Sequence, residues 1–172
     1  MSRQHYSGER RALTIWQPLA SLLFLPEGRG FWKQYETRSW KTDYRGEIWI
    51  HASAKDVREV LRSVTRQSTL WYLGEGVLRI LYPDGPPPGT DWRTVVEMLR
   101  TSRDGILPRK ALIGTARLAG CLEITEELRA KQSPRELALG NWRTGSYAWV
   151  LKDRRLLPAP LTQNGQQGLW RF

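Results

Sequence analysis

A short stretch near position 35 carries three charged side chains that could act on one ligand. Lys33, Glu36 and Arg38 fall within six consecutive residues. In an extended segment Glu36 and Arg38 point to the same face, because side chains alternate along a strand. A carboxylate held by a guanidinium stays ionised and can accept a hydrogen bond from a base amino group, whereas the Lys33 ammonium can neutralise a phosphate or an oxyanion. An ion pair that only braces the fold would use the same geometry, so both interpretations stay open.

Five further residues are candidates for contacts with a nucleic acid. The Trp16 indole could stack a base, or it could plug the core. Arg45 lies in a predicted turn, where a guanidinium can reach a phosphate. Ser53 and Lys55 open a predicted helix that could meet a phosphate, although helix capping alone explains Ser53. His51 ends an apolar strand without a serine or cysteine partner that the sequence indicates, so a structural role is favoured over catalysis.

The balance of charge favours a polyanionic partner. The chain has 27 Lys and Arg against 17 Asp and Glu, a net charge of +10 and a pI near 10.3. Arginine accounts for 21 of the basic residues, and its guanidinium suits phosphates and base stacking better than an ammonium does. A solvated, arginine-rich surface would give the same composition, but nine tryptophans also supply the parts of a stacking platform. We expect RNA or single-stranded DNA as the partner.

Other classes of protein and site are disfavoured by what the sequence lacks. No stretch approaches the ~20 apolar residues of a membrane-spanning helix, and the polar start does not resemble a secretory signal. We therefore expect a cytoplasmic protein without membrane contacts. The single cysteine, Cys121, cannot form an internal disulfide, and two histidines with one cysteine do not make a metal site. We expect no metal and no cofactor; the sequence does not determine the oligomeric state, for which we expect a monomer.

Short strands separated by helices indicate a small mixed barrel. Residues 1–10 are predicted to be a flexible tail and residues 11–172 a single domain, with a helical and proline-rich insertion at about 65–108. The predicted fold class is mainly β with inserted helices (α+β), a mixed β-barrel of about five to seven strands with peripheral helices. The end of the chain should return to the barrel and bury Leu169 and Trp170. The predicted strands are 12–15, 35–40, 46–51, 110–122 and 147–151, and the predicted helices begin near Pro18, at Ser53 with Asp56 as a capping box, at Thr90, at Thr125 and at Ser133.

Several motifs occur together in an order that resembles one known family. LTIWQPLA at 13–20 is similar to the opening of ASCH domains, and KQYETRSW at 33–40 is similar to their GxKxxExR signature. The signature glycine would fall at Phe31, whereas Gly30 lies one position earlier. The resemblance implies a PUA-like barrel associated with RNA, in which the charged triad and Trp16 face a cleft. Further similar segments are YRG at 44–46, IHAS at 50–53, GSYAW at 145–149 and residues 165–170.

Two functions of different classes fit this pattern. The first is a module that binds RNA or single-stranded DNA and holds a base and phosphates in a basic cleft. The resemblance implies the second, an enzyme, because relatives are associated with ribonuclease activity and with removal of an acyl group from cytidine. Lys33 would then be the nucleophile or base and Glu36 the proton shuttle. The deacylating relatives carry a threonine three residues after the lysine, a position that Glu36 occupies here, with Thr37 next. A third interpretation is a protein-interaction domain that uses the proline loop 83–89.

Overall fold

One mixed sheet with helices packed against it makes up the fold. The structure, a computed structural model, describes residues 9–102 and 105–172, so most of the predicted tail 1–10 lies outside the described residues. Six of the eight strands in the described part form a sheet that curls into a half-barrel, and six helices accompany it. This confirms the predicted α+β class and is consistent with a PUA-like barrel. The strands are β1 (Arg11–Ile15), β2 (Pro26–Glu27), β3 (Gly30–Phe31), β4 (Tyr35–Arg38), β5 (Gly46–Ala52), β6 (Ala111–Glu123), β7 (Tyr147–Thr162) and β8 (Leu169–Arg171), and the helices are α1 (Leu19–Leu22), α2 (Val57–Ser63), α3 (Gln67–Leu81), α4 (Trp92–Thr101), α5 (Glu126–Ala130) and α6 (Pro134–Leu139).

The main sheet has the strand order β4-β7-β6-β5-β1-β8. Strands β1 and β5 run parallel, and the other neighbouring pairs run antiparallel. The long strands β6 and β7 pair with several shifts of register. Such bulges bend a strand and increase its twist, which is how a six-stranded sheet can curl into a half-barrel.

Alternation of side chains gives the sheet two distinct faces. The inner face packs on Ala20 of α1 and on Leu23, which directly follows this helix. We call the reverse side the outer face; it carries the alternate residues, for example Trp49 of β5 and Thr115 of β6, which lie opposite each other. The inner face is made by the buried residues Leu13, Ile15, Ile48, Ile50, Ala116, Leu118 and Trp149.

Helices α2, α3 and α4 build a second apolar cluster. Leu73 and Val77 of α3 pack there with Val95 and Leu99 of α4. Residues from other parts of the chain join the same cluster, and this supports our proposal that residues 11–172 form one domain with an insertion at about 65–108. Those residues are Leu22, Trp32, Leu61, Leu107 and Leu139. Among the described residues, no helix combines the length and apolar character needed to cross a membrane.

Helix α3 is the largest element for which the sequence offered no boundaries. It contains Gly74 and Gly76, and glycine is unfavourable inside a helix by about 1 kcal/mol relative to alanine. Both glycines are needed for close packing. A Cβ on Gly76 would lie 2.5 Å from Leu22 Cδ2, and one on Gly74 would lie 2.7 Å from the carbonyl oxygen of Trp92. Tertiary packing therefore overrides the local preference.

Two predicted helix caps are wrong by one or more residues. The cap of α2 is Asp56, whose carboxylate accepts from Arg58 N at 2.9 Å, whereas Ser53 lies outside the helix. The cap of α4 is Asp91 rather than Thr90, and it accepts from Thr94 N at 3.0 Å. In both cases a carboxylate directly precedes the first helical residue, which is the usual position of an N-cap.

Strand β7 is much longer than the predicted strand at 147–151. It continues to Thr162 although Pro158 and Pro160 cannot donate ladder hydrogen bonds. The pairing with β6 explains this, because the register passes from Leu156 opposite Gly114 to Leu161 opposite Leu112. The prolines therefore lie in a bulge where no partner strand needs their N–H groups. As predicted, the end of the chain returns to the sheet, with Trp170 buried and Leu169 partly buried.

Candidate functional site

The largest group of predicted site residues lines one cleft of about 360 Å³. It lies where the end of β1 and the start of α1 meet β4, with α2, α3 and the end of α6 forming the other walls. The structure brings Trp16, Lys33, Glu36 and Arg38 together here. The remaining lining residues are Thr14, Ile15, Pro18, Leu19, Thr37, Val60, Val64, Thr69, Leu73, Ala138, Leu139, Gly140 and Asn141.

Glu36 lies between two cations at the wall of this cleft. Its Oε2 is 3.4 Å from Lys33 Nζ, and its Oε1 is 3.1 Å from Arg38 Nη2. Lys33 is 1% exposed, and its ammonium also donates to the carbonyl oxygen of Tyr35. Arg38 Nη2 donates further to the carbonyl oxygen of Thr14 at 2.8 Å, so the guanidinium links β4 to β1. The predicted alternation along β4 is thus what puts Glu36 and Arg38 side by side.

Two polar atoms of this group have no hydrogen-bond partner. Glu36 Oε2 and Arg38 Nε are both buried and unpartnered within the described residues. The contact of Oε2 with Lys33 is therefore an ion pair without hydrogen-bond geometry. Buried polar atoms are nearly always satisfied, because leaving one unpaired costs about 1–3 kcal/mol. Because both atoms are buried, a bound molecule could reach them only after movement of the cleft wall.

Trp16 is the exposed aromatic residue of the cleft. Half of its surface is accessible (49%), which is unusual for so large an apolar side chain. The Lys55 ammonium lies 3.7 Å from the centre of the indole ring and covers one of its faces. Lys55 does not line the cleft itself, but this cation–π contact places a positive charge beside it.

The other three predicted residues lie outside the cleft. Arg45 is exposed in the turn before β5, where its guanidinium donates to the carbonyl oxygens of Thr42 and Tyr44 at 3.0 and 2.7 Å. Ser53 is buried, and its hydroxyl accepts from Lys55 N at 3.2 Å. Ser53 therefore shapes the segment that carries Lys55.

His51 is buried on the outer face and contacts the end of the chain. Its Nδ1 lies 3.2 Å from Thr14 Oγ1, and its Nε2 lies 2.8 Å from the carbonyl oxygen of Gln163. Burial lowers the pKa of His51 below its ordinary value of 6.5, although the bond to Gln163 acts in the opposite direction. Trp170 Nε1 donates to the same Thr14 hydroxyl at 3.0 Å. These contacts hold residues 163–170 against the sheet.

A pair of charged residues that the sequence did not indicate holds the segment carrying Lys33. The buried Glu136 of α6 accepts from the backbone N–H groups of Gln34 at 2.8 Å and Tyr35 at 3.0 Å. From β7, Arg154 donates to the carbonyl oxygen of Lys33 at 2.6 Å and to that of Gln34. The backbone of residues 33–35 is therefore held by a carboxylate through its N–H groups and by a guanidinium through its carbonyl groups.

Arg154 is itself largely removed from water. Burial lowers the pKa of Arg154 to about 10, and the charges of Glu136 and Glu36 act in the opposite direction. Its guanidinium also donates to Leu23 O at 2.7 Å and lies 4.6 Å from the centre of the Phe31 ring. No local pattern marks these roles, because Glu136 looks like an ordinary residue of a first helical turn and the contacts span more than 100 residues.

Comparison with known protein families gives a match over most of the chain. A family model described as ASCH domain matches residues 13–154, which is most of the chain. No curated protein matches. Within the described residues, no group of histidine, cysteine, aspartate and glutamate side chains could hold a metal ion. Trp16 and the charged residues around it are the groups that the cleft offers to a ligand.

Proposed function

This chain belongs to the ASCH domain family, a PUA-like family generally associated with RNA binding, and on that premise we propose that it binds RNA or single-stranded DNA through the cleft beside β4. The observation that carries the proposal is the combination of a half-exposed indole, Trp16, with a buried carboxylate between two cations, Glu36 between Lys33 and Arg38. An indole offers a stacking surface that accepts any base, and the charged group offers a hydrogen-bonding edge.

The two parts of the cleft have different tasks in this proposal. A base stacks on the face of Trp16 that Lys55 leaves open, and Lys55 meets the adjoining phosphate. The edge of the base meets Glu36, which accepts from an amino group, and Arg38, which donates. Only such edge contacts can distinguish bases, whereas phosphate contacts give affinity and orientation.

Lys33 acts through Glu36 rather than on the ligand. With 1% of its surface exposed, its ammonium is too deeply buried to meet a phosphate, but it lies 3.4 Å from Glu36 Oε2. The ammonium thereby balances the charge of the carboxylate and helps to fix it beside Arg38. Arg45, exposed in its turn, remains a candidate for a phosphate further along the strand.

The proposal is tested by titrating a labelled oligonucleotide as RNA, single-stranded DNA and duplex DNA at two salt concentrations. Affinity for single strands should fall as salt rises, because bound phosphates release counterions. Trp16→Ala should weaken binding by about 1–3 kcal/mol. Trp71→Ala is the matched control, since Trp71 is 38% exposed on α3 and does not line the cleft. Equal losses of affinity in the two variants, or an affinity that does not depend on salt, would contradict the proposal.

A hydrolase is the second candidate, and the buried Lys33–Glu36 pair at the cleft wall is the observation that favours it. Lys33 would serve as nucleophile or base and Glu36 as proton shuttle. The burial of Lys33 weighs against direct attack, because a substrate atom cannot reach Nζ without movement of the wall. Incubation with labelled RNA and with acylated cytidine decides the matter: turnover that is lost in Lys33→Ala supports the enzyme, and intact substrates support the binding module.

A further inference from the structure

The outer face of the sheet carries an aromatic cluster that lies outside the cleft. Trp49 of β5 and Phe172 at the end of the chain meet edge to face, with ring centres 5.8 Å apart. Trp170 of β8 lies beside them, its ring centre 5.4 Å from that of Phe172. Phe172 is 40% exposed and Trp49 is partly exposed. The guanidinium of Arg10 lies 5.6 Å from the centre of the Trp49 ring. Aromatic surface is therefore accessible here next to a positive charge.

Strand register places more cationic side chains on the same face. Residues that lie opposite each other in neighbouring strands share a face of the sheet. Trp49 lies opposite Thr115, and Thr115 lies opposite Arg155. In the adjacent row, Arg117 lies opposite Lys152. Neighbouring strands are about 4.8 Å apart, so the backbone of Arg155 is about 10 Å from that of Trp49 across the face.

Most of these cations are available to an external anion. Arg10, Lys152 and Arg155 are exposed and form no salt bridge with any described residue. Arg117 is paired with Asp153 at 2.6 Å. The outer face carries four cationic side chains and two carboxylates. The cations are Arg10, Arg117, Lys152 and Arg155, and the carboxylates are Glu47 and Asp153.

From this combination we propose that the outer face is a second contact surface for single-stranded nucleic acid. Bases stack on Phe172 and on the exposed part of the Trp49 ring, and phosphates lie along Lys152 and Arg155. Sheet faces with aromatic rings between basic side chains bind single strands in this way, because every base has a π-face and the backbone is a polyanion. The inference rests on the proposed function, but it uses different residues: Glu36 lies opposite Trp149, on the inner face.

The test is a titration of a fluorescent single strand of about 30 nucleotides at several salt concentrations. Lys152→Glu/Arg155→Glu reverses two exposed charges of the face. The matched control Arg29→Glu/Arg100→Glu makes the same change in net charge at two exposed arginines that also lack a salt bridge with any described residue. The outer-face variant should bind at least about tenfold more weakly at low salt, with a salt slope reduced by about 1.4, or about 0.7 for each phosphate that the variant no longer binds. Phe172→Ala should weaken binding about fivefold, the lower end of measured stacking contributions.

Trp16→Ala, titrated with the same strand, separates this inference from the cleft proposal. If Trp16→Ala weakens binding while the outer-face variant behaves like the control, the outer face is not a contact surface and the cleft proposal stands. If the outer-face variant weakens binding while Trp16→Ala is silent, the outer face stands and the cleft proposal fails. Wild-type protein that binds no strand overturns both. Circular dichroism of each variant verifies that the substitutions leave the fold intact.

Discussion

Glu136 makes the contacts whose loss should most disturb the cleft. Its side chain is buried, and the two carboxylate oxygens accept from Gln34 N at 2.8 Å and Tyr35 N at 3.0 Å. Glu136→Gln preserves size and shape but replaces one oxygen by an NH₂ group, which cannot accept. One of the two backbone N–H groups then faces a donor instead of an acceptor, and Arg154 loses a nearby compensating charge.

The expected cost follows from these contacts. A hydrogen bond to a charged group contributes about 1.5–3 kcal/mol, and a buried donor left unsatisfied costs about 1–3 kcal/mol. One bond is removed and the other is weakened, so the free energy of unfolding should fall by about 3 kcal/mol. Domains are typically stable by about 5–15 kcal/mol, so the variant should still fold. Its cleft should be less well ordered, because the backbone that carries Lys33 and leads into Glu36 is no longer held.

Urea denaturation followed by tryptophan fluorescence measures this cost. Glu127→Gln is the control, since Glu127 is exposed and, within the described part of the chain, forms an ion pair only with Lys131. It should change the free energy of unfolding by less than about 1 kcal/mol. Oligonucleotide affinity, measured where both variants are fully folded, should fall in Glu136→Gln and not in Glu127→Gln. If the two variants unfold at the same urea concentration, the Glu136 contacts do not hold the segment and the reasoning is wrong.

Three further outcomes can be checked in the same way. The lowered pKa of His51 means that the folded state favours the neutral ring. This residue therefore contributes stability above pH ~6.5 that is lost as the pH falls below that value. The urea midpoints at pH about 7.5 and 5.5 should differ less in His51→Gln than in the wild type. Gly76→Ala puts a Cβ 2.5 Å from Leu22, and its overpacking cost of about 1–3 kcal/mol should outweigh the helix propensity of alanine and lower the Tm. Glu36→Leu should lower the free energy of unfolding by about 3–5 kcal/mol, because it leaves Lys33 buried without its ion-pair partner. Lys33→Met/Glu36→Leu should leave the free energy of unfolding nearly unchanged in urea denaturation. Both variants should lose oligonucleotide binding.

The parts of the fold that depend on local pattern could be predicted from the sequence. Alternation along residues 35–38 put Glu36 and Arg38 on one face, and the structure places them 3.1 Å apart. Strand β6 begins and ends within one residue of the predicted 110–122. Helix α6 follows Ser133, whose hydroxyl accepts from Glu136 N. In each case the determining contacts lie within a few residues of each other, which is the range over which spacing and propensity act.

The parts that depend on distant contacts could not be predicted. The glycines of α3 disfavour a helix until Leu22 and Trp32 pack against Gly76, and Trp92 and Val96 against Gly74. The prolines of β7 would break a strand if they did not lie in a bulge. His51 is a candidate ligand-binding residue until the end of the chain is seen to pack on it. Such pairings are set by the way the sheet curls, and no spacing within one segment encodes that curvature.

The contacts that hold the backbone beneath the cleft indicate whether the charged residues of the cleft have only a structural role. A buried ion pair gives little net stability, and apolar side chains of similar volume often brace a core as well or better. Here the chain buries Lys33 and Glu36 and then uses two more charged residues, the buried Glu136 and the partly buried Arg154, to hold the backbone next to them. Stability alone gives no reason for this arrangement, because each added charge loses hydration. A cleft that must present a fixed carboxylate and a fixed guanidinium beside an exposed indole does give a reason, since binding is tightest when such groups are already in place before the ligand arrives.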